Sequence, residues 1–174
     1  METKKGDFVS IMKNRIIYES IEGLRQEGLR FSVDTVAEKL NISKKTIYKY
    51  FPNKEALAFA LYQTYYADVK AQANRLTADS SGSARSKLLF LYFDAKLMTS
   101  DNIFNKYKLN KSLYSYTTEQ NNDLWNIISS SFDESISEKD KIALHIILDG
   151  TFEKLCNEKI TPDEVIDRLV NILW

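Results

Sequence analysis

The 174-residue chain has one cysteine, one histidine, two prolines and five glycines. Cys156 alone excludes an internal disulfide and any multi-cysteine zinc site. No apolar run approaches the roughly 18 residues that a membrane span requires, and the N-terminus carries no signal-peptide pattern. A cytoplasmic protein without a membrane partner is therefore expected. A nucleophile–base grouping, a P-loop and a glycine-rich nucleotide motif are all missing, which argues against an enzyme and against a bound cofactor. Net charge is missing too, with 24 basic and 24 acidic residues, but the distribution is uneven. Residues 1–57 hold 11 Lys/Arg against 8 Asp/Glu, and residues 58–174 hold 13 against 16, so the modest basic surplus lies in the first third.

Hydrophobic residues make up 44% of the chain, enough to bury one substantial core or two small ones. With few prolines and glycines, and apolar residues recurring three and four apart, the pattern predicts an all-α protein. A first helix from about Val9 to Gln26 carries Val9, Met12, Ile16, Ile17, Ile21 and Leu24 on one side and stops at Gly28. Ser32 is placed to cap a second helix of about two turns with Val33, Val36, Ala37 and Leu40 inward.

The stretch "NISKKTIYKYFPNK", residues 41–54, carries the chemistry. Asn41 tolerates a left-handed backbone and suits a tight turn directly after a helix. Ser43 is placed as N-cap of a third short helix that ends before Pro52, with Ile42 and Ile47 at the positions of a hydrophobic staple. Ile47 and Phe51, four apart, share the buried side. Lys44 with Tyr48 and Lys45 with Lys49 form rows that face outward. Two short helices joined by a tight turn, the second with a basic and hydroxyl-bearing outer face, have the geometry of a helix-turn-helix. Lysines supply the salt-sensitive attraction to phosphates and can donate to guanine, and Thr46 offers a methyl to thymine. Asn53 caps a fourth helix and leaves Lys54 in its first turn, a slightly unfavourable place for a cation unless it serves a ligand.

Residues 31–57, "FSVDTVAEKLNISKKTIYKYFPNKEAL", resemble the DNA-binding signature of the TetR family of bacterial transcriptional repressors, in Ala37, the T-I-Y core, Phe51 and the "FPNKEAL" run. The resemblance implies that Tyr48 and Lys54 hold phosphates and that Lys44, Lys45, Thr46 and Tyr50 face bases or backbone, with Lys49 on the same surface. It also implies a repressor released from a double-stranded operator by a small molecule. Asn41 stands where the family usually has glycine, and Lys45 where many members have a small residue. Asp34 stands where some members carry a base-reading arginine, so the second helix is expected to add little to sequence reading.

The fourth helix, about 53–76, connects a helix-turn-helix domain (residues 1–52) to a helical ligand-binding and dimerisation domain (residues 53–174). "TADSSGSARS", residues 77–86, reads as a loop. Helices follow near 84–99, 119–132, 138–157 and 161–173, with 100–118 unassigned. Ser137 with Asp140 forms a capping-box pattern, and Thr161, Pro162, Asp163 and Glu164 mark the start of the last helix. Residues 141–155 are apolar nearly all round, more than one core-facing stripe requires. A homodimer interface of Ile142, Ile146, Phe152, Ile166, Leu169 and Leu173 is expected from this excess. Tyr62, Tyr66, Phe90, Phe93, Phe104, Tyr107, Tyr114 and Trp125 either fill the core or line a pocket for the effector. His145, Asp149 and Cys156 share one side of their helix, as a metal group or as residues packed at an interface; no metal is assigned. The alternative function is an architectural DNA-binding protein whose C-terminal helices only assemble it.

Overall fold

The structure is a computed structural model that describes residues 2–27, 32–100, 111–158 and 160–174, and the side chains of all of these except 2–8, 27 and 164. Among the described residues the chain is all α: α1 (Glu2–Glu27), α2 (Val33–Lys39), α3 (Lys44–Tyr50), α4 (Lys54–Leu76), α5 (Gly82–Met98), α6 (Lys111–Ser129), α7 (Glu138–Glu158) and α8 (Pro162–Leu173). It packs as two units, Met1–Ala67 with Met98–Thr117, and Asp68–Leu97 with Thr118–Trp174, so the division falls inside α4 rather than at residue 52.

In the first unit Ile16, Ile17, Ile21 and Leu24 of α1 meet the expected inward pattern. Val9 does not; it is 46% exposed. Gly28 lies outside the described residues. Val33, Val36 and Ala37 of α2, Ile47 and Phe51 at α3, and Leu57, Leu61, Tyr62, Tyr65 and Tyr66 of α4 complete the core. Fully burying side chains of this size stabilises by about 1.5–3 kcal/mol each, which is what holds helices of two turns that would not persist alone. Ser20 is fully buried and satisfies its hydroxyl on the Ile16 carbonyl at 2.7 Å.

The second unit is centred on Leu88, Leu89, Tyr92, Leu124, Ile128, Leu148 and Ile166. The expected loop over 77–86 is shorter than its composition suggests. Ser81 caps α5 by accepting from the Ala84 N–H at 3.2 Å, so Gly82 to Ser86 are helical. The Lys70 ammonium of α4 donates to Gln120 at 2.6 Å and Asp123 at 3.1 Å on α6. Helix α6 also starts earlier than residue 119, at Lys111. Ser137 and Asp140 form the expected reciprocal cap, the Ser137 N–H donating to Asp140 at 3.1 Å and the Asp140 N–H to Ser137 at 3.3 Å. Thr161 has the extended backbone of an N-cap but makes no capping bond through its side chain. The Glu164 side chain lies outside the described residues.

Candidate nucleic-acid interface

The turn between α2 and α3 is built around Asn41, whose φ of 52° is the one positive value among the described non-glycine residues. The Ile42 N–H donates to the Ala37 carbonyl at 2.9 Å and the Asn41 N–H to Glu38 at 3.0 Å, the paired bonds of a Schellman motif. Both helices that meet there are capped by serine. Ser32 accepts from the Thr35 N–H at 3.2 Å and Ser43 from the Thr46 N–H at 3.1 Å. Each cap satisfies one of the orphan donors of a helix start and is worth about 1 kcal/mol.

On α3 the two faces separate as the spacing requires. Ile47 and Phe51 are 0% and 2% exposed and point into the core, where the Lys13 ammonium sits 5.6 Å from the Phe51 ring centre. Lys44, Lys45 and Lys49 stand in solvent on the other side, Tyr48 is exposed, and Thr46 and Tyr50 are half-buried. The Thr46 hydroxyl is 2.9 Å from Ser43 Oγ, so one of its hydrogen-bonding positions is used within the cap. At the start of α4 Asn53 accepts from the Ala56 N–H at 2.8 Å, and Lys54 follows it, exposed, in the first turn. The segment thus brings Lys44, Lys45, Thr46, Tyr48, Lys49 and Tyr50 onto one short helix, with Lys54 after Pro52.

One residue of this surface escapes sequence reasoning. The Lys44 ammonium donates to the Asp34 carboxylate at 2.8 Å, across the turn from α3 to α2. That bond and the charge of Asp34 hold the Lys44 pKa above its ordinary value. Ten residues separate the pair. Helical periodicity relates residues three or four apart, so only the geometry of the turn reveals the pairing.

The expected aromatic set is divided between the units. In the first, Tyr62 and Tyr66 are buried and donate their hydroxyls to the carbonyls of Met98 at 2.6 Å and Thr117 at 3.4 Å. Tyr114 is 54% exposed and does not turn inward, since α6 presents Leu113 and Thr117 there instead. Phe104 and Tyr107 lie outside the described residues. In the second unit, Phe90 and Phe93 border a groove of about 320 Å³ together with Leu97, Phe152, Leu155 and Ile160. Phe90 also borders a groove of about 400 Å³ with Gln72, Arg75 and Leu76 of α4 and Lys87 and Leu91 of α5.

Trp125 is buried elsewhere in that unit, stacked on His145. Asp149 accepts from the Tyr92 hydroxyl and from Lys96 at 3.0 Å, and lies 4.0 Å from the imidazole Nε2 of His145. Cys156 is exposed, and no group of three potential metal-ligating side chains is gathered among the described residues. Of the six residues expected at a dimer interface, Ile142 and Ile146 are 63% and 68% exposed. Phe152, Ile166, Leu169 and Leu173 are buried within the single chain, so they belong to its own core. The apolar excess on α7 is instead Ile142, Ile146 and Ile147, next to Gly150, where an added Cβ would meet open space.

A short helix locked in by Ile47 and Phe51, delivered by a tight turn and bearing an exposed lysine face, defines the class of helix-turn-helix proteins. A model of the bacterial regulatory proteins of the tetR family matches residues 16–61, which span α1 to the first half of α4. The match covers the helix-turn-helix segment, about a quarter of this chain. The uncharacterized HTH-type transcriptional regulator YvaF of Bacillus subtilis is 32% identical over 59 residues, covering 34% of this chain and 31% of that protein. The match thus spans about a third of that relative. Two crystal structures share the fold over nearly the whole length. A transcriptional regulator from Aquifex aeolicus VF5 has a TM-score of 0.61 at 18% identity, covering 91% of this chain and 94% of its own. A regulator of the TetR/AcrR family from Thermobifida fusca YX-ER1 has a TM-score of 0.58 at 19% identity, covering 93% and 96%. No helix among the described residues is long and apolar enough to cross a membrane.

Proposed function

We propose that the protein is a transcriptional regulator that binds a palindromic double-stranded operator as a homodimer, with α3 in the major groove, and that it represses until a small molecule releases it. The observation that carries this reading is the outer face of α3. Three lysines, a tyrosine and a threonine methyl stand opposite a core-locked Ile47 and Phe51, which orients them toward a partner rather than leaving them to fold at random. Repression is carried over from the resemblance to the TetR family alone.

The dimer is supported by the exposed isoleucines of α7, a stripe that a soluble protein ordinarily covers. A two-fold pair presents two copies of α3 to half-sites about 34–36 Å apart, hence the palindrome. An effector site is supported by the groove that Gln72, Arg75 and Leu76 of α4 share with Lys87, Phe90 and Leu91, whose volume of about 400 Å³ suits a small ligand. Helix α4 continues without a break from Lys54 to this groove, so a ligand that shifts its end acts on the helix that follows α3. Coupling of this kind is typically about 1–3 kcal/mol, a loss of roughly 5- to 150-fold in DNA affinity.

The test is selection from a randomised duplex library, followed by binding of the selected sequence at several salt concentrations. A palindromic consensus bound by a dimer, with affinity falling steeply as salt rises, is the expected result. Binding only to a single half-site by a monomer, or no selection above random duplex, overturns the reading.

A further inference from the structure

We propose that Asp34 is a specificity-determining residue: held to Lys44, it reads one G·C base pair in each half-site, with the guanine under Lys44. The inference rests on the DNA-binding reading above and names the contact that α2 adds to it.

Asp34 lies in the first turn of α2 and Lys44 is the first residue of α3, and the turn closed by Asn41 brings Nζ within 2.8 Å of Oδ2. Both side chains stay open to water, 48% for Lys44 and 60% for Asp34. An ion pair so exposed contributes little to folding. Lys44 shares its row of α3 with Tyr48, whose charge also acts on it, and Lys45 follows it in the chain, within the surface that meets DNA in the proposed docking.

The pair keeps bonding capacity beyond its mutual contact. The ammonium has two further N–H donors, and the carboxylate has further acceptor positions. Side by side they present a donor and an acceptor in fixed order. In the major groove a G·C pair presents the complementary order, with the O6 and N7 acceptors of guanine followed by the N4 amino donor of cytosine. O6 and N4 are themselves hydrogen-bonded across the base pair, so they lie about 2.9 Å apart. That spacing matches the 2.8 Å between Nζ and Oδ2. Lys44 therefore reaches O6 and N7 while Asp34 accepts from N4, without the two residues separating.

The other base pairs fit less well for definite reasons. A T·A pair offers a keto oxygen and an amino group in the same order, but it places a methyl where guanine has N7, and an acceptor N7 beyond the amino group, near the carboxylate. It should rank second. The reversed pairs, C·G and A·T, set an amino group against the ammonium and a keto oxygen against the carboxylate, and are rejected. Lys44 without Asp34 would accept any of these acceptors or a phosphate. The carboxylate makes the contact directional.

The experiment is selection from a randomised duplex library by the full chain and by the variants Asp34→Ala, Asp34→Asn and Lys44→Ala, with melting curves to confirm that each is folded. The wild-type consensus should contain one position per half-site that prefers G·C, with T·A second. Asp34→Ala should lower the discrimination against the reversed pair at that position by roughly 5- to 150-fold, the span of one good base-edge contact. It should leave the other positions intact and tighten binding to random duplex. Lys44→Ala should affect the same position, and Asp34→Asn, which keeps the shape and can both donate and accept, should admit adenine there. A wild-type protein that selects no site removes the DNA-binding reading and this inference with it. A wild-type consensus that survives Asp34→Ala at every position, or variants that alter different positions, overturns this inference alone.

Discussion

The imidazole of His145 lies flat against the indole of Trp125, with ring centres 4.2 Å apart and planes 6° from parallel. Burial lowers the His145 pKa below its ordinary 6.5, Asp149 partly opposes the shift, and Lys96 adds to it. The folded state thus binds the proton more weakly than the unfolded chain does. Stability is at its full value above pH 6.5, declines as pH falls through that value, and levels off once folded His145 also protonates. In a Trp174→Phe background the fluorescence of Trp125 should change with a midpoint below 6.5, and the melting temperature should fall over the same range. His145→Gln should abolish the fluorescence step. A midpoint at or above 6.5 would show that the imidazole is not held in a desolvated stack.

Lys54 tests the docking separately from base reading. It is exposed beside the positive end of α4, a place that suits a phosphate. Lys54→Ala should weaken binding about equally on all sequences and reduce the slope of log affinity against log salt by about one. Unchanged affinity and slope would mean that the start of α4 does not touch the DNA backbone.

Asn41 fixes how α3 leaves α2. At a φ of 52° an alanine side chain meets the following carbonyl, so Asn41→Ala should cost about 1–2 kcal/mol. Asn41→Gly should stay within a few tenths of wild type or gain slightly. Urea denaturation of the two variants decides the matter, and equal stability for both would remove the strain argument.

On α7, Ile142→Glu with Ile146→Glu places two carboxylates on a face that the single chain leaves in solvent. The variant should fold with an unchanged melting temperature when dilute, sediment as a monomer at micromolar concentration, and lose tight binding to the palindrome. A variant that remains a dimer would move the interface away from this stripe.

Local signals carried most of what was readable in the sequence. Ser32, Ser43, Asn53 and Ser137 all cap as expected, because capping depends on residues within one turn. The alternation of Ile47 and Phe51 with Lys44, Lys45 and Lys49 fixed both faces of α3 for the same reason. What local signals leave open depends on distant packing. Ile166, Leu169 and Leu173 have the pattern of an interface, but an apolar stripe reads the same whether it meets its own chain or a second copy. Tyr114 reads like its neighbours in composition and turns outward. The Asp34–Lys44 pair crosses a turn, where periodicity has no reach.

Cys156 stands exposed near the end of α7 and is the only thiol of the chain. A maleimide fluorophore or a nitroxide therefore attaches at one known point, without engineering other cysteines away. Burial and the nearby Glu153 raise its pKa above the ordinary 9.0, so conjugation should be slow at neutral pH and speed up in mildly alkaline buffer. Because Cys156 borders the same groove as Phe93 and Phe152, the attached probe would report on whatever fills that groove as well as on the distance to a second copy.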